Sequence, residues 1–374
     1  MTIDTGRPVH AGAPDRFNLA VQLIQPDGQR VHHPDFSSLV ADVGPEQLLD
    51  LYEDLVVTRR IDHEATALQR QGELVLWASY EGQEAAQVGS VRALHPDDYL
   101  FITYRESAVA HCRGVDPARM MRLWRGVGKA GWDPDELHMT NPAIIIGAQT
   151  LHATGYALGT QLDGATTATV AYFGDGATSE GDVSEALVFA ASWDAPVIFF
   201  CQNNQFAISE PVRLQTPTPI AQRALGFGIP SVRVDGNDAL AVLAVTRWAA
   251  ARAYEGSGPT FIEAVTYRMG PHTTSDDPTR YRVAAETELW KARDPIDRVR
   301  RLLEREGRLD DAAVRRVQAS ADHTAARLRD AARSLPVPEP LSLFDNVYVD
   351  PHPLVDDERE QYRRYLARWE EVGS

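Results

Sequence analysis

Residues 169–209 read TVAYFGDGATSEGDVSEALVFAASWDAPVIFFCQNNQFAIS, and this stretch decides the fold. Thr169–Phe173 and Val197–Cys201 are short apolar runs rich in β-branched and aromatic residues, which suit buried strands. Between them, Asp182–Ser192 carries Val183, Ala186, Leu187, Ala190 and Ala191 on one helical stripe. Strand, helix, strand in this order argues for parallel strands joined by a crossover. The first strand runs into Gly174-Asp175-Gly176 and the second ends at Asn203-Asn204, with 26 residues between Gly176 and Asn203. A loop between a strand end and a helix start offers free backbone N–H groups and the positive end of a helix dipole. Glycines there let the backbone approach an anion closely. Asp175 adds a hard oxygen ligand, and an Asp with an Asn at neighbouring strand ends suits Mg²⁺. Alone, GDG reads as a turn and NN as a loop cap. Their combination across two adjacent strand ends is what points to a bound ligand.

Working outward, the same alternation continues. Residues 46–72 and 82–93 read as helices, Leu100–Tyr104 as a short strand and Gln149–Leu162 as a helix. Val232–Val234 reads as a strand, Asn237–Glu255 as a helix and Phe261–Thr266 as a strand. The expected fold is therefore α/β, a mostly parallel sheet covered by helices on both faces, with ligands beyond the carboxyl ends of the strands. The chain divides into an N-terminal arm (1–44) with Pro8, Pro14, Pro26 and Pro34, an α/β body (45–283) and a C-terminal extension (284–374). In the extension, residues 284–333 read as charged helix, and Pro336, Pro338 and Pro340 break the pattern. Leu343–Val349 is an apolar stretch fit to meet a partner, and Asp356–Glu371 reads as a last helix.

The bulk properties narrow the function. The 374 residues carry 37 basic and 53 acidic groups, a net charge of −16, which argues against nucleic acid as a partner because phosphate backbones need a basic face. Cys112 and Cys201 form no metal-ligand spacing, and Cys201 lies in an apolar run as a small buried residue. Met1 to Phe17 has neither the apolar core of a signal peptide nor the pattern of a presequence, and no apolar run is long enough to span a membrane. A cytoplasmic location without membrane contact is expected.

The stretches YEGQEA (80–85), TYRE (103–106), IIIGAQ (144–149), GDGATSEGD (174–182), QNNQFAIS (202–209), RVDGND (233–238) and YRMGPHTTSDDPTRYR (267–282) together carry a resemblance. From roughly Pro45 to Pro353 the chain resembles alpha subunits of the thiamine-diphosphate-dependent decarboxylating component of 2-oxo acid dehydrogenase complexes. The resemblance implies a thiamine-diphosphate-binding fold whose body is residues 45–283. It implies that Asp175 and Asn204 give side-chain oxygens, and Phe206 its backbone carbonyl, to Mg²⁺. Gly176 and Ala177 would offer N–H groups to the diphosphate, and Arg105 and Arg268 would pair with it, as guanidinium geometry suits. Tyr104 would touch the cofactor, Ile144 and Ile146 would meet its aminopyrimidine ring through their backbones, and His272 would act at the reacting centre. Read without the resemblance, Arg105 and Arg268 are surface ion-pair residues, His272 a solvated loop histidine and Tyr104 a half-buried strand end.

The implied activity is decarboxylation of a 2-oxo acid with transfer of the acyl group to a lipoyl arm. The implied partners are a beta subunit, in a two-alpha two-beta heterotetramer, and a lipoyl-bearing acyltransferase core. The resemblance implies that the carboxylate promoting loss of the thiazolium proton comes from the beta subunit, and no candidate for it is found in this chain. SEGD, FFCQNNQFAIS and RVDGND resemble branched-chain alpha subunits, and IIIGAQ and GPHTTSDDPTRYR resemble bacterial pyruvate dehydrogenase alpha subunits as much. The branched-chain reading is preferred. Two departures stand out: Ala148 replaces a Thr that some branched-chain relatives use to bind potassium, and Gln202 replaces an Arg found before the Asn pair in some relatives. Thr273 follows His272, and charge added there by phosphorylation would repel a diphosphate. Two other classes compete: a noncatalytic scaffold of the same fold, and a nucleotide-binding α/β enzyme, which would lack the glycine spacings of a phosphate loop at this strand.

Overall fold

The structure is a computed structural model that describes residues 20–128 and 131–372. Residues 1–19 of the expected arm and 373–374 of the expected extension lie outside it. Seven strands are present among the described residues: β1 (Tyr99–Phe101), β2 (Thr169–Gly174), β3 (Val197–Asn203), β4 (Phe206–Ala207), β5 (Glu210–Pro211), β6 (Ser231–Asp235) and β7 (Thr260–Val265). Five form one sheet in the order β1-β2-β3-β7-β6, and every pair in it is parallel. β4 and β5 make a small antiparallel hairpin just beyond the end of β3.

The strands are buried on both sides because their residues alternate between two cores. Val170, Tyr172, Ile198, Phe200, Ile262 and Ala264 face a core shared with Val242 and Val245 of the helix Ala239–Tyr254. Ala171, Phe173, Val197, Phe199, Cys201 and Phe261 face the other core, with Ala153 and Ala157 of the helix Ala148–Leu162 and Val183, Ala186 and Ala190 of the helix Gly181–Trp193. Two helical layers over a parallel sheet match the expected class. Among the described residues no helix is long and apolar enough to cross a membrane.

Residues 20–44 lie on the body, with Leu23 and Ile24 fully buried and Val21 pairing with Val234 on the edge strand β6. The charged helical region expected over 284–333 consists of three helices: Ala284–Lys291, Pro295–Arg305 and Asp311–Ser334. The reason is local. Asp294 caps the second through Ile296 N and Asp297 N with Pro295 at its first position. Gly307 turns the chain at φ +64°, and Asp310 caps the third through Ala313 N. The C-terminal helix Pro353–Val372 follows an exposed segment in which Leu343, Val347, Tyr348 and Val349 all face outward.

Candidate active site

The register of β2 on β3 sets Gly174 opposite Gln202, so the two chains leave the sheet side by side at their carboxyl ends. Asp175 and Asn204 follow at once, and the Asn204 backbone N–H turns back to Gln202 O at 2.9 Å. A cavity of about 470 Å³ opens there. Tyr104, Arg105, Ile144, Ile146, Asp175, Gly176, Ala177, Asn204, Phe206, Arg268 and His272 all line it. The structure thus brings every residue singled out from the sequence into one place. They come from five separated segments: the loop after β1, the loop before the helix Ala148–Leu162, the end of β2, the end of β3 and the segment after β7.

The charge balance of this cavity is unusual. Arg105 and Arg268 are 6% and 0% exposed. Among the described residues neither has a carboxylate within ion-pair distance. Arg105 donates to the carbonyls of Ser79 and His272, the latter at 2.9 Å, and approaches His272 Nδ1 at 3.1 Å. Arg268 donates to Phe206 O at 3.2 Å, Ile208 O at 2.6 Å and the Tyr281 hydroxyl at 3.0 Å, and lies 3.4 Å from His272 Nδ1. Neutral partners do not cancel buried charge, and two such cations in one cavity call for an anion. Burial first, and Arg105 second, push the Arg268 guanidinium down to about 10.

His272 sits between the two guanidiniums. Burial, then Arg105, then Arg268 push its imidazole down to about 3, so the ring is neutral at physiological pH. Both neighbours of Nδ1 can only donate, so Nδ1 is the acceptor and the proton resides on Nε2. Asp276 fixes the loop by accepting from His272 N at 2.7 Å and from the Tyr281 hydroxyl.

Asp175 is buried, and the burial pushes its carboxyl up to about 6 against the hydrogen bond from Gln215. Its Oδ2 accepts from Gln215 Nε2 at 2.9 Å, and its Oδ1 is buried with no hydrogen-bond partner. Asn204 donates through Nδ2 to Gln83 Oε1 at 3.1 Å, and its Oδ1 receives only a long bond from Phe206 N at 3.3 Å. The Phe206 carbonyl accepts one bond from Arg268 and retains a second lone pair. An orphaned carboxylate oxygen, an under-used amide oxygen and a carbonyl at one strand edge are hard oxygen donors that fit a divalent cation. Among the described residues no group of three or more His, Cys, Asp or Glu could hold a metal. A cation here would take its remaining ligands from phosphate and water. Gly176 allows no larger residue, since an added Cβ would meet Ala207 Cβ at 2.8 Å.

The sequence reading did not pick out Gln83, Glu106, Gln215, Asp276 or Tyr281, and singled out Gln202 only as a departure from some relatives. Glu106 is fully buried in the cavity wall, accepts from Thr103 N and from Gln202 Nε2 at 2.6 Å each, and is pushed up by burial. Gln83, Glu106, Gln202, Asp276 and Tyr281 lay inside quoted stretches, which was the available signal. Gln215 lay outside all of them.

A family model described as the dehydrogenase E1 component matches residues 52–340. The chain is 48% identical over 354 residues to the 3-methyl-2-oxobutanoate dehydrogenase subunit alpha of Mycobacterium tuberculosis (strain H37Rv), covering 93% of this chain and 94% of that one. It is 42% identical over 289 residues to the pyruvate dehydrogenase E1 component subunit alpha of Staphylococcus aureus (strain Mu50), covering 77% of each.

Proposed function

The chain belongs to the dehydrogenase E1 component family, and from that premise we propose that it is the alpha subunit of a branched-chain 2-oxo acid dehydrogenase. Working in the cytoplasm with a beta subunit, it decarboxylates 3-methyl-2-oxobutanoate and related acids and passes the acyl group to a lipoyl arm. The observation that carries the reading is the pair of buried guanidiniums, Arg105 and Arg268, facing one cavity with no carboxylate within ion-pair distance of either among the described residues.

The family works with thiamine diphosphate, which when bound supplies the carbanion that attacks the oxo carbon and the electron sink for loss of CO₂. The residues of this chain supply binding, orientation and charge. Arg105 and Arg268 hold the diphosphate, and the backbone N–H groups of Gly176 and Ala177 approach it where Gly176 keeps the wall thin. Asp175, Asn204 and the Phe206 carbonyl hold Mg²⁺. Ile144 and Ile146 offer backbone groups to the aminopyrimidine ring, and Tyr104 packs beside it. Neutral His272 presents Nε2–H to negative charge that develops on the reacting oxygen and assists acyl transfer. Residues 45–283 form the cofactor-binding domain. The 1–44 arm and the 284–374 extension serve contacts with the beta subunit, in a two-alpha two-beta heterotetramer that docks on an acyltransferase core.

Branched-chain substrates are preferred over pyruvate because the similarity to the 3-methyl-2-oxobutanoate enzyme is higher and spans more of the chain. The test is decarboxylation by this chain co-expressed with its beta partner, with thiamine diphosphate and Mg²⁺. A higher kcat/KM for 3-methyl-2-oxobutanoate than for pyruvate is expected. Preference for pyruvate would replace the substrate while keeping the site.

A further inference from the structure

Two glutamines stand behind the cation ligands, one behind each. Gln215 ends the short helix Val212–Gln215, and Val212 N donates to Gln205 O at 2.9 Å, which ties that helix to the chain after Asn204. Gln215 Nε2 occupies Oδ2 of Asp175 and leaves Oδ1 as the orphaned atom. Gln83, fully buried before the helix Glu84–Val91, accepts a hydrogen bond from Asn204 Nδ2 on its Oε1. We propose that Gln83 and Gln215 are positioning residues that decide which oxygens of Asn204 and Asp175 face the cation, an inference that rests on the cofactor reading above.

The chemistry of each position supports this. An Asn side chain has two orientations related by a flip, and only one points an oxygen at a cation. An acceptor behind Nδ2 selects that orientation. A carboxylate with both oxygens free can rotate or chelate, whereas one held by a neutral donor presents a single oxygen and keeps its full charge. Lys or Arg in place of Gln215 would pair with Asp175 and weaken its hold on a cation. Gln83 does a second thing: with Oε1 engaged, its buried Nε2 has no partner among the described residues and lies in the cavity wall, a donor suited to a phosphate oxygen.

The experiment is titration of Mn²⁺, followed by its electron spin resonance signal, into the full chain assembled with its beta partner in the presence of thiamine diphosphate. Loss of outer-shell partners weakens metal affinity by about 10–100-fold, and Gln83→Leu and Gln215→Leu should each raise the Mn²⁺ Kd by that order. At saturating Mn²⁺ and cofactor the Gln215→Leu complex should recover turnover, which distinguishes positioning from catalysis. Gln83→Glu keeps the acceptor behind Asn204 and should bind Mn²⁺ more tightly than Gln83→Leu; it also serves if the leucine variant fails to fold. Wild-type Kd in the leucine variants, alongside a lost Mn²⁺ site in Asp175→Asn, would overturn the positioning role and leave the site reading intact. A wild-type complex that takes up no Mn²⁺ would overturn both.

Discussion

Two regions of this molecule bury arginine, and they do it in opposite ways. Arg298, fully buried under the arm, lies 2.8 Å from Asp235 and 3.9 Å from Asp238, and also donates to Ile24 O. Asp238 in turn accepts from Leu23 N and Ile24 N. The charge of Arg298 is answered by carboxylates of the same chain, and the cluster ties residues 21–24 to the edge of the sheet. Arg105 and Arg268 are as deeply buried, yet their partners are carbonyls, a hydroxyl and an imidazole. The first arrangement is balanced by the fold, while the second is balanced only when something else arrives. Burial alone does not separate a structural arginine from a binding one; the presence of a carboxylate does.

Substitution should widen this difference. Arg298→Met strands Asp235 and Asp238 in the interior, and breaking a buried pair costs about 3–5 kcal/mol, so a large drop in unfolding free energy is expected in denaturant melts. Arg268→Met removes a buried charge that has no counter-ion, and the cofactor-free protein should be as stable as wild type or more so. Equal losses in the two variants would erase the distinction.

A smaller effect concerns pH. The His272 imidazole lies near 3 against an ordinary 6.5, because the folded state favours the neutral ring. The stability it contributes is complete above 6.5 and drains away as pH falls from 6.5 towards 3. Asp175, pushed up to about 6, acts in the opposite sense, gaining as pH falls. Subtracting His272→Gln from wild type cancels the Asp175 contribution. The difference in unfolding free energy between the two should shrink steadily on acidification below pH 6.5, and a flat difference would contradict the position given to His272 between two cations.

Much of this was legible in the sequence because it follows from periodicity. Val197–Cys201 and Thr169–Phe173 could be read as buried strands from composition alone, and two neighbouring parallel strands must end at the same edge. With the two strands as neighbours, Asp175 and Asn204 come to the same edge. Glycine and proline punctuation sets the divisions inside the helical region 284–333, at the Asp294-Pro295 cap and at Gly307. The roles of Gln83 and Gln215 were out of reach, since an amide has no pattern of its own and its meaning lies in partners 121 and 40 residues away. The arm was equally opaque, because its pairing with β6 rests on a few apolar residues set among prolines.

The most direct test of the account is titration of thiamine diphosphate, with Mg²⁺ present, into the alpha–beta complex carrying wild-type chain, Arg105→Met or Arg268→Met. Each guanidinium hydrogen-bonded to a charged group contributes about 1.5–3 kcal/mol, so each variant should bind roughly 10–100-fold more weakly than wild type while remaining folded. Wild-type affinity in both variants would mean that the two unbalanced arginines do not hold the diphosphate, and the assignment of the cavity would fall with them.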